Sequence, residues 1–225
     1  MKKVDFDPFV GEYNALLRVQ TRFFSDDDAY FARYKVAIAR RLVERPPERV
    51  LEIGCGIGRN IPFLRAAFPS AEITGSDISE QSLAQAREAN PGIDFLTEAE
   101  MERKGIGADV ILIAGVVHHV PPEERADVIV RFSEQLRRGG VMVVFEHNPY
   151  NPVTRRIVRN CPFDEGVVFI QPWDLRRHLR NAGLHVTGQG YALFFPPRFT
   201  KLAGAERMLE WLPLGGQYWV CATRT

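Results

Sequence analysis

The sequence predicts a doubly wound α/β fold around a mostly parallel sheet. From about residue 48 onward, short apolar runs alternate with amphipathic stretches of helical period, the pattern of repeated β-α-β units. The first of these runs, Arg49 to Ile53, passes directly into a glycine-rich turn and then into a helix start. A chain of 225 residues with ordinary apolar content is long enough to bury one substantial core, so a single domain over 1–225 with decorations is expected.

Residues 1–47 read as a helical appendage. Tyr30, Tyr34, Ala37, Ile38 and Leu42 recur at three- and four-residue steps after the capping-type run Ser25-Asp26-Asp27-Asp28, and Pro46-Pro47 stops the pattern. The expected strands are Arg49 to Ile53, Glu72 to Ser76, Ile93 to Leu96, Asp109 to Ile113 and Val141 to Glu146. Val110 to Ile113 and Val141 to Phe145 are apolar at nearly every position, as befits central strands covered on both faces. Helices are expected over Arg59 to Ala67, Ser79 to Ala89 and Glu123 to Arg137, the last closed by Gly139-Gly140. A polar, proline-punctuated stretch then runs to Pro172, followed by a helix from Asp174 to Ala182. Strands at Leu184 to Leu193 and Gln217 to Thr223 flank a connection carrying Phe194-Phe195-Pro196-Pro197 and a helix at Lys201 to Leu212.

Composition narrows the function classes. Twenty-nine basic residues against 28 acidic ones leave a net charge of +1, which provides no global field for nucleic acid or an anionic membrane. Cys55, Cys161 and Cys221 are odd in number, far apart and free of CxxC spacing, which argues against a disulfide framework and against a structural zinc site. Met1 to Val10 lacks the apolar run of a signal peptide, and no segment reaches about 18 consecutive apolar residues. A cytoplasmic protein without a membrane span is the expectation.

The chemistry concentrates at the carboxyl ends of the strands, where an open α/β sheet places its ligands. Glycines at 54, 56 and 58 allow a tight turn and close approach of a ligand, and the following helix offers free N–H groups. The dinucleotide pattern GxGxxG/A needs a small residue where Arg59 stands, and no Lys-Ser or Lys-Thr pair completes a phosphate loop. An acidic residue should close the next strand, about 20 residues on, to accept hydrogen bonds from a ribose. Asp77 stands there, followed by Ile78, which can pack on a base.

The run Glu52-Ile53-Gly54-Cys55-Gly56-Ile57-Gly58 resembles motif I of the class I S-adenosylmethionine-dependent methyltransferases. Ala108 to Val120 resembles motif IV of that family, and Leu136 to Val144 its helix-turn-strand entry to the fifth strand. The resemblance implies a seven-stranded, mostly parallel sheet with a C-terminal antiparallel strand, an N-terminal helical lid over 1–47, a cofactor-binding core over 48–146, and an acceptor insert with a C-terminal hairpin over 147–225. It implies S-adenosylmethionine as cofactor, with S-adenosylhomocysteine as product. Glu52, Gly54, Gly56 and Gly58 would line its methionine end, with Cys55 and Asn60 in the same loop, and Asp77 and Ile78 would hold ribose and adenine. Glu98 and Ala99 would meet the adenine edge, with Glu100 a competing choice for Glu98. Ala114 and Gly115 would let the donor lie against the fourth strand, and Tyr13 resembles the family's early lid tyrosine. The aromatic set Phe23, Phe24, Tyr30, Phe31 and Tyr34 would be packing residues for the most part.

Methyl transfer is an in-line displacement whose leaving group needs no acid, so a base is required only for a protonated acceptor. His118, His119, Glu146, His147 and Tyr150 are the catalytic candidates, because they project from the ends of the fourth and fifth strands. Adjacent histidines usually point apart, so one of the pair would face the acceptor. His118, His119, Glu146 and His147 do not form a recognised ligand spacing, and no metal is expected. The stretch Glu146 to Asp164 reads as an acceptor-binding insert, with Phe194, Phe195 and Phe199 as a second wall. Arg155, Arg156 and Arg159, with Arg176, Arg177 and Arg180, are either solvated helix faces or anion-binding clusters. The expected function is transfer of a methyl group from S-adenosylmethionine to an oxygen, nitrogen or carbon of a small molecule, by a monomer or a homodimer. The alternatives are a non-catalytic S-adenosylmethionine-binding sensor or partner protein and, disfavoured by Arg59, a nicotinamide-dependent oxidoreductase.

Overall fold

In the computed structural model, residues 27, 29–161, 166–196, 199 and 206–225 are described. The expected strands form, with ends shifted by one or two residues except at the fifth: β1 Arg49–Ile53, β2 Glu72–Asp77, β3 Asp94–Thr97, β4 Ala108–Ala114, β5 Leu136–His147, β6 Leu184–Ala192 and β7 Gln217–Arg224. They make one seven-stranded sheet in the order β3-β2-β1-β4-β5-β7-β6. The pairs from β3 across to β5 are parallel, and β7 runs antiparallel to both β5 and β6. The order reverses between β1 and β4, the switch point where an open sheet leaves a crevice.

Residues alternate along the central strands between two covering layers. Leu51, Ile53, Ile111, Ile113, Met142 and Val144 pack against Phe132, Leu175 and Leu179 of helices α5 (Arg125–Glu134) and α7 (Pro172–Asn181). Val50, Val110, Leu112, Val143 and Phe145 face the other layer. That layer is built from α1 (Tyr30–Leu42), α2 (Ile61–Ala67) and α3 (Glu80–Ala89) through Val36, Ala39, Leu64 and Leu83. By this alternation Glu52, which follows Leu51, faces the layer of α1.

Four expectations are corrected. The segment after β3 is a helix, α4 (Glu98–Lys104), because Thr97 and Glu100 close a reciprocal capping box around its first turn. The helix expected to reach Arg137 ends at Glu134, because Gln135 and Leu136 leave it to join Ala108 at the start of β5. Arg224 then caps the vacated carbonyls of Ser133 and Glu134, and Gly139 (φ 76°) turns a bulge inside β5 rather than ending a helix. The polar stretch after β5 contains helix α6 (Pro152–Arg159), started by Asn151, whose side chain accepts from the N–H groups of Val153 and Thr154. Of the helix expected over 201–212, the described part holds a 3-10 turn at Glu206–Leu209, and 201–205 lie outside the described residues.

At the N-terminus, Ser25, Asp26 and Asp28 lie outside the described residues, as do Tyr13, Phe23 and Phe24. Asp27 does act at the start of α1, accepting from the N–H of Ala29 at 2.9 Å. Among the described residues no helix is long and apolar enough to cross a membrane.

Candidate functional site

The glycine turn is held open by its neighbours on β2 and β4. Gly54 and Cys55 both donate to the carbonyl of Ser76, at 2.7 and 2.9 Å, which fixes the chain as it leaves β1. Gly54 adopts φ 70°, and a β-carbon there would lie 2.2 Å from Val116 Cγ2, so the backbone passes hard against the end of β4. Gly56 also has a left-handed backbone (φ 53°), yet a β-carbon there would meet nothing within 4 Å. The turn therefore leaves an open cradle at Gly56, lined by backbone. The Cys55 side chain instead turns into the core near Gly75 and Phe95, where burial pushes its thiol up.

Two carboxylates flank the cradle. Asp77 accepts from the N–H of Gly56 at 2.7 Å with one oxygen and from Ser79 at 3.0 Å with the other, while Ser79 caps α3. Ile78 beside it is 42% exposed, an apolar side chain open to the crevice. Glu52 lies beneath the turn, 1% exposed. Asn60 donates to its Oε1, and its Oε2 has no hydrogen-bond partner. Burial pushes the Glu52 carboxyl up to about 7, aided by Asp77 and opposed by Asn60 and Lys35. An unsatisfied carboxylate oxygen in a dry site is costly, and an ammonium group is the partner it lacks.

On the adenine side, Glu100 is committed to its capping box, accepting at 2.8 Å from the N–H and at 2.9 Å from the hydroxyl of Thr97. It is thus removed from the competition with Glu98, which opens α4 beside exposed Ala99. Ala114 ends β4, and Gly115 (φ 73°) donates to Phe145 at 2.9 Å, so β4 and β5 stay paired at the rim.

The histidines gather over β4 and β5. A 3-10 turn at Val117–His119 follows β4, and it accounts for the one misjudged orientation: the His118 and His119 rings lie 4.1 Å apart instead of pointing away from each other. Successive side chains on such a turn diverge by about 120°, less than in a strand. The His147 ring is 4.8 Å from His118 and 6.4 Å from Phe169. Glu146 beneath them is 0% exposed; it accepts from the Val117 N–H at 2.7 Å and pairs with His118 Nδ1 at 2.6 Å. Burial opposes its ionisation, but the charge and hydrogen bond of His118, with His147 and the Val117 N–H, hold its carboxyl below the usual range. Tyr150 is 48% exposed at the outer rim, its N–H bound to the Asn148 side chain. Among the described residues no group of three or more His, Cys, Asp or Glu side chains is arranged to hold a metal ion.

Three groups have partners or positions that the sequence reading assigns to none of them. Arg125 is buried and donates to the carbonyls of Val120 and Val168, bracing the histidine turn against the segment that carries Phe169. Asn148, also buried, donates to Pro213 and Gly215 and so ties the end of β5 to the connection before β7. Its Asx geometry before a proline was the available signal. Lys35, partly buried on α1, was hidden among the periodic positions of that helix. Of the aromatic set, Tyr30 and Tyr34 contact each other at 5.7 Å and Tyr30 meets Phe31 at 5.5 Å, which suits packing.

The crevice thus provides a bare backbone turn, an unpartnered carboxylate oxygen and a second carboxylate one strand over, a fit for a nucleoside that carries an amino acid. A family model described as "Methyltransferase domain" matches residues 51–142. A trans-aconitate 2-methyltransferase of Mycobacterium ulcerans (strain Agy99) is 30% identical over 190 residues, covering 78% of this chain and 68% of the relative. That of Mycobacterium marinum (strain ATCC BAA-535 / M) is 28% identical over 208 residues, covering 83% and 75%. Other relatives of the same description are matched over about half of their length. Among solved structures, an S-adenosylmethionine-dependent methyltransferase from Thermotoga maritima superposes with a TM-score of 0.69 at 20% identity, covering 98% of each chain, and so shares the fold. With these matches beside the glycine cradle and the carboxylate pair, the chain belongs to the class I S-adenosylmethionine-dependent methyltransferases, with that cofactor as its methyl donor and a small molecule as its acceptor.

Proposed function

We propose that the acceptor is a small carboxylic acid, methylated on a carboxylate oxygen to give the methyl ester. The observation that carries this reading is the internal use of Glu146: both of its oxygens are spent on Val117 and His118, so the mouth offers imidazoles rather than a free carboxylate base. An acid acceptor needs no base, because it is already ionised at neutral pH. Imidazole N–H groups suit an anion, and the relatives named for trans-aconitate act, by that name, on a carboxylic acid.

In this reading Glu52 takes the cofactor's ammonium through its unpartnered oxygen, and the turn formed by Gly54, Cys55, Gly56 and Gly58 offers backbone to the methionine end. Asn60 orients Glu52, Asp77 takes the ribose hydroxyls, and Ile78, Glu98 and Ala99 bound the adenine. Ala114 and Gly115 leave room beside β4, and Tyr13 lies outside the described residues. When bound, S-adenosylmethionine supplies an electrophilic sulfonium methyl group. His119 and His147 orient the acceptor, His118 and Glu146 form the buried pair that holds the histidine turn, and Tyr150 closes the rim. The chain's contribution to rate is then alignment and exclusion of water.

The division into a lid (1–47), a cofactor core (48–146) and an acceptor region (147–225) follows the same lines. A net charge of +1 favours a small molecule over nucleic acid, and three cysteines far apart in sequence and free of CxxC spacing support a cytoplasmic setting.

The test is incubation with methyl-labelled S-adenosylmethionine and a panel of acids headed by trans-aconitate, each beside its amide. Label that moves to an acid as a base-labile ester, and not to the amide, is the expected result. Binding of S-adenosylhomocysteine without labelling of any acid would remove the acceptor assignment.

A further inference from the structure

Helix α1 is fixed over the sheet by a clasp. The Tyr34 hydroxyl donates to the buried Glu206 carboxylate and accepts from the Leu193 N–H at 3.4 Å. Glu206 also accepts from the N–H groups of Phe194 and Phe195, at 3.1 and 2.8 Å, and Arg41 pairs with Glu210 at 2.6 Å. Helix α1, the exit of β6 and the turn before β7 are therefore joined through one carboxylate. Val36 and Ala39 of the same helix are packed into the layer that covers β1, β4 and β5.

Lys35 stands between Tyr34 and Val36, so its backbone is held on both sides. Strand alternation turns Glu52, Ala114 and His147 toward this same layer at the carboxyl ends of their strands. Lys35 is partly buried, and among the described residues its ammonium makes no hydrogen bond and no ion pair. The charges it feels belong to the crevice: Glu52 most, then Arg59, then Glu146. Burial pulls its ammonium below the usual lysine range, which is the condition of a cation short of a counter-charge. Ala32, Ile38 and Ala39, three and four residues away along the helix, are all buried, so Lys35 stands on the covered face of α1.

We propose that Lys35 is a ligand-binding residue of the reaction crevice and takes a carboxylate there. Two carboxylates can reach such a crevice, that of the acceptor and that of the cofactor's amino-acid end. The acceptor source rests on the acid-acceptor reading above; the cofactor source does not.

Calorimetry on the intact chain separates them, with Lys35→Met compared to wild type and Lys35→Arg. The probes are S-adenosylhomocysteine, methylthioadenosine, which lacks the amino-acid end, and trans-aconitate added to the S-adenosylhomocysteine complex. A charge-assisted hydrogen bond lost to Lys35→Met weakens its ligand by about tenfold to a hundredfold, and Lys35→Arg restores most of that. Loss confined to trans-aconitate assigns the acceptor carboxylate. Loss for S-adenosylhomocysteine but not for methylthioadenosine assigns the cofactor carboxylate, and this arm is decided even if trans-aconitate does not bind wild type. Unchanged affinity for every probe that wild type binds overturns the proposal, as does equal weakening of S-adenosylhomocysteine and methylthioadenosine, which reports a general disturbance of the site.

Discussion

Replacing Glu52 with Gln tests whether the base of the cradle is built for a ligand at the expense of the empty protein. Burial moves the Glu52 carboxyl from 4.5 to about 7. At about 1.4 kcal/mol for each tenfold change in proton affinity, holding it ionised costs the fold about 3 kcal/mol. The sign follows from a raised value: the contribution to stability is fully present below pH 4.5 and is lost as pH rises through about 7. Glu52→Gln has no such titration and keeps an acceptor for the Asn60 amide. Urea unfolding of both proteins without ligand, from pH 4.5 to pH 8, should show wild type losing about 3 kcal/mol relative to the variant. S-adenosylhomocysteine should reverse the order at pH 8, because it binds the ionised carboxylate and the variant has none. A difference that stays flat within about 1 kcal/mol across this range would refute the claim that Glu52 is held desolvated for a cation.

Gly54→Ala places a methyl 2.2 Å from Val116 Cγ2 at φ 70°, and should cost roughly 2 kcal/mol or more in urea unfolding. Gly56→Ala meets only backbone strain, about 1 kcal/mol, yet should weaken S-adenosylhomocysteine by more than tenfold in calorimetry, because its methyl enters open space. Asp77→Asn should weaken the same ligand by about tenfold to a hundredfold; equal affinity would remove the ribose role. Glu146→Gln leaves His118 without its carboxylate and should cost about 3–5 kcal/mol at pH 7. Because the Glu146 carboxyl is held below its ordinary value, that gap is full above the usual carboxylate range and closes as pH falls, which unfolding at pH 7 and pH 4 will show.

The sequence disclosed the parts of the site whose causes are local. Glu52, the glycines and Asp77 each sit where a strand ends and a turn begins, and the contact from Gly56 to Asp77 joins the ends of adjacent parallel strands. The start of α4 is equally local, since Thr97 and Glu100 form a capping box where the sequence reading expects a loop. Asn151-Pro152 carried a comparable signal for α6, an N-cap followed by proline in the first turn. In both places the backbone's own need for an N-cap claims a polar residue near the crevice.

The acceptor half resisted for a different reason, since its roles depend on which distant groups a side chain meets. Glu146 reads as a candidate base at a strand end, and its proposed structural role rests on its contact with His118, 28 residues earlier on another element. Lys35 looked like one more charge on an amphipathic helix, and its place over the crevice depends on Glu206, which clasps the neighbouring Tyr34 from 172 residues away. A carboxylate with both oxygens already hydrogen-bonded is less available to a substrate proton, whereas a partly buried amine that bonds none of the described residues still needs an anion. Burial and hydrogen-bond satisfaction therefore carry the proposed exchange of roles, with Glu146 and the histidines as scaffold and orientation and a lysine from the covering helix as a ligand for an anion.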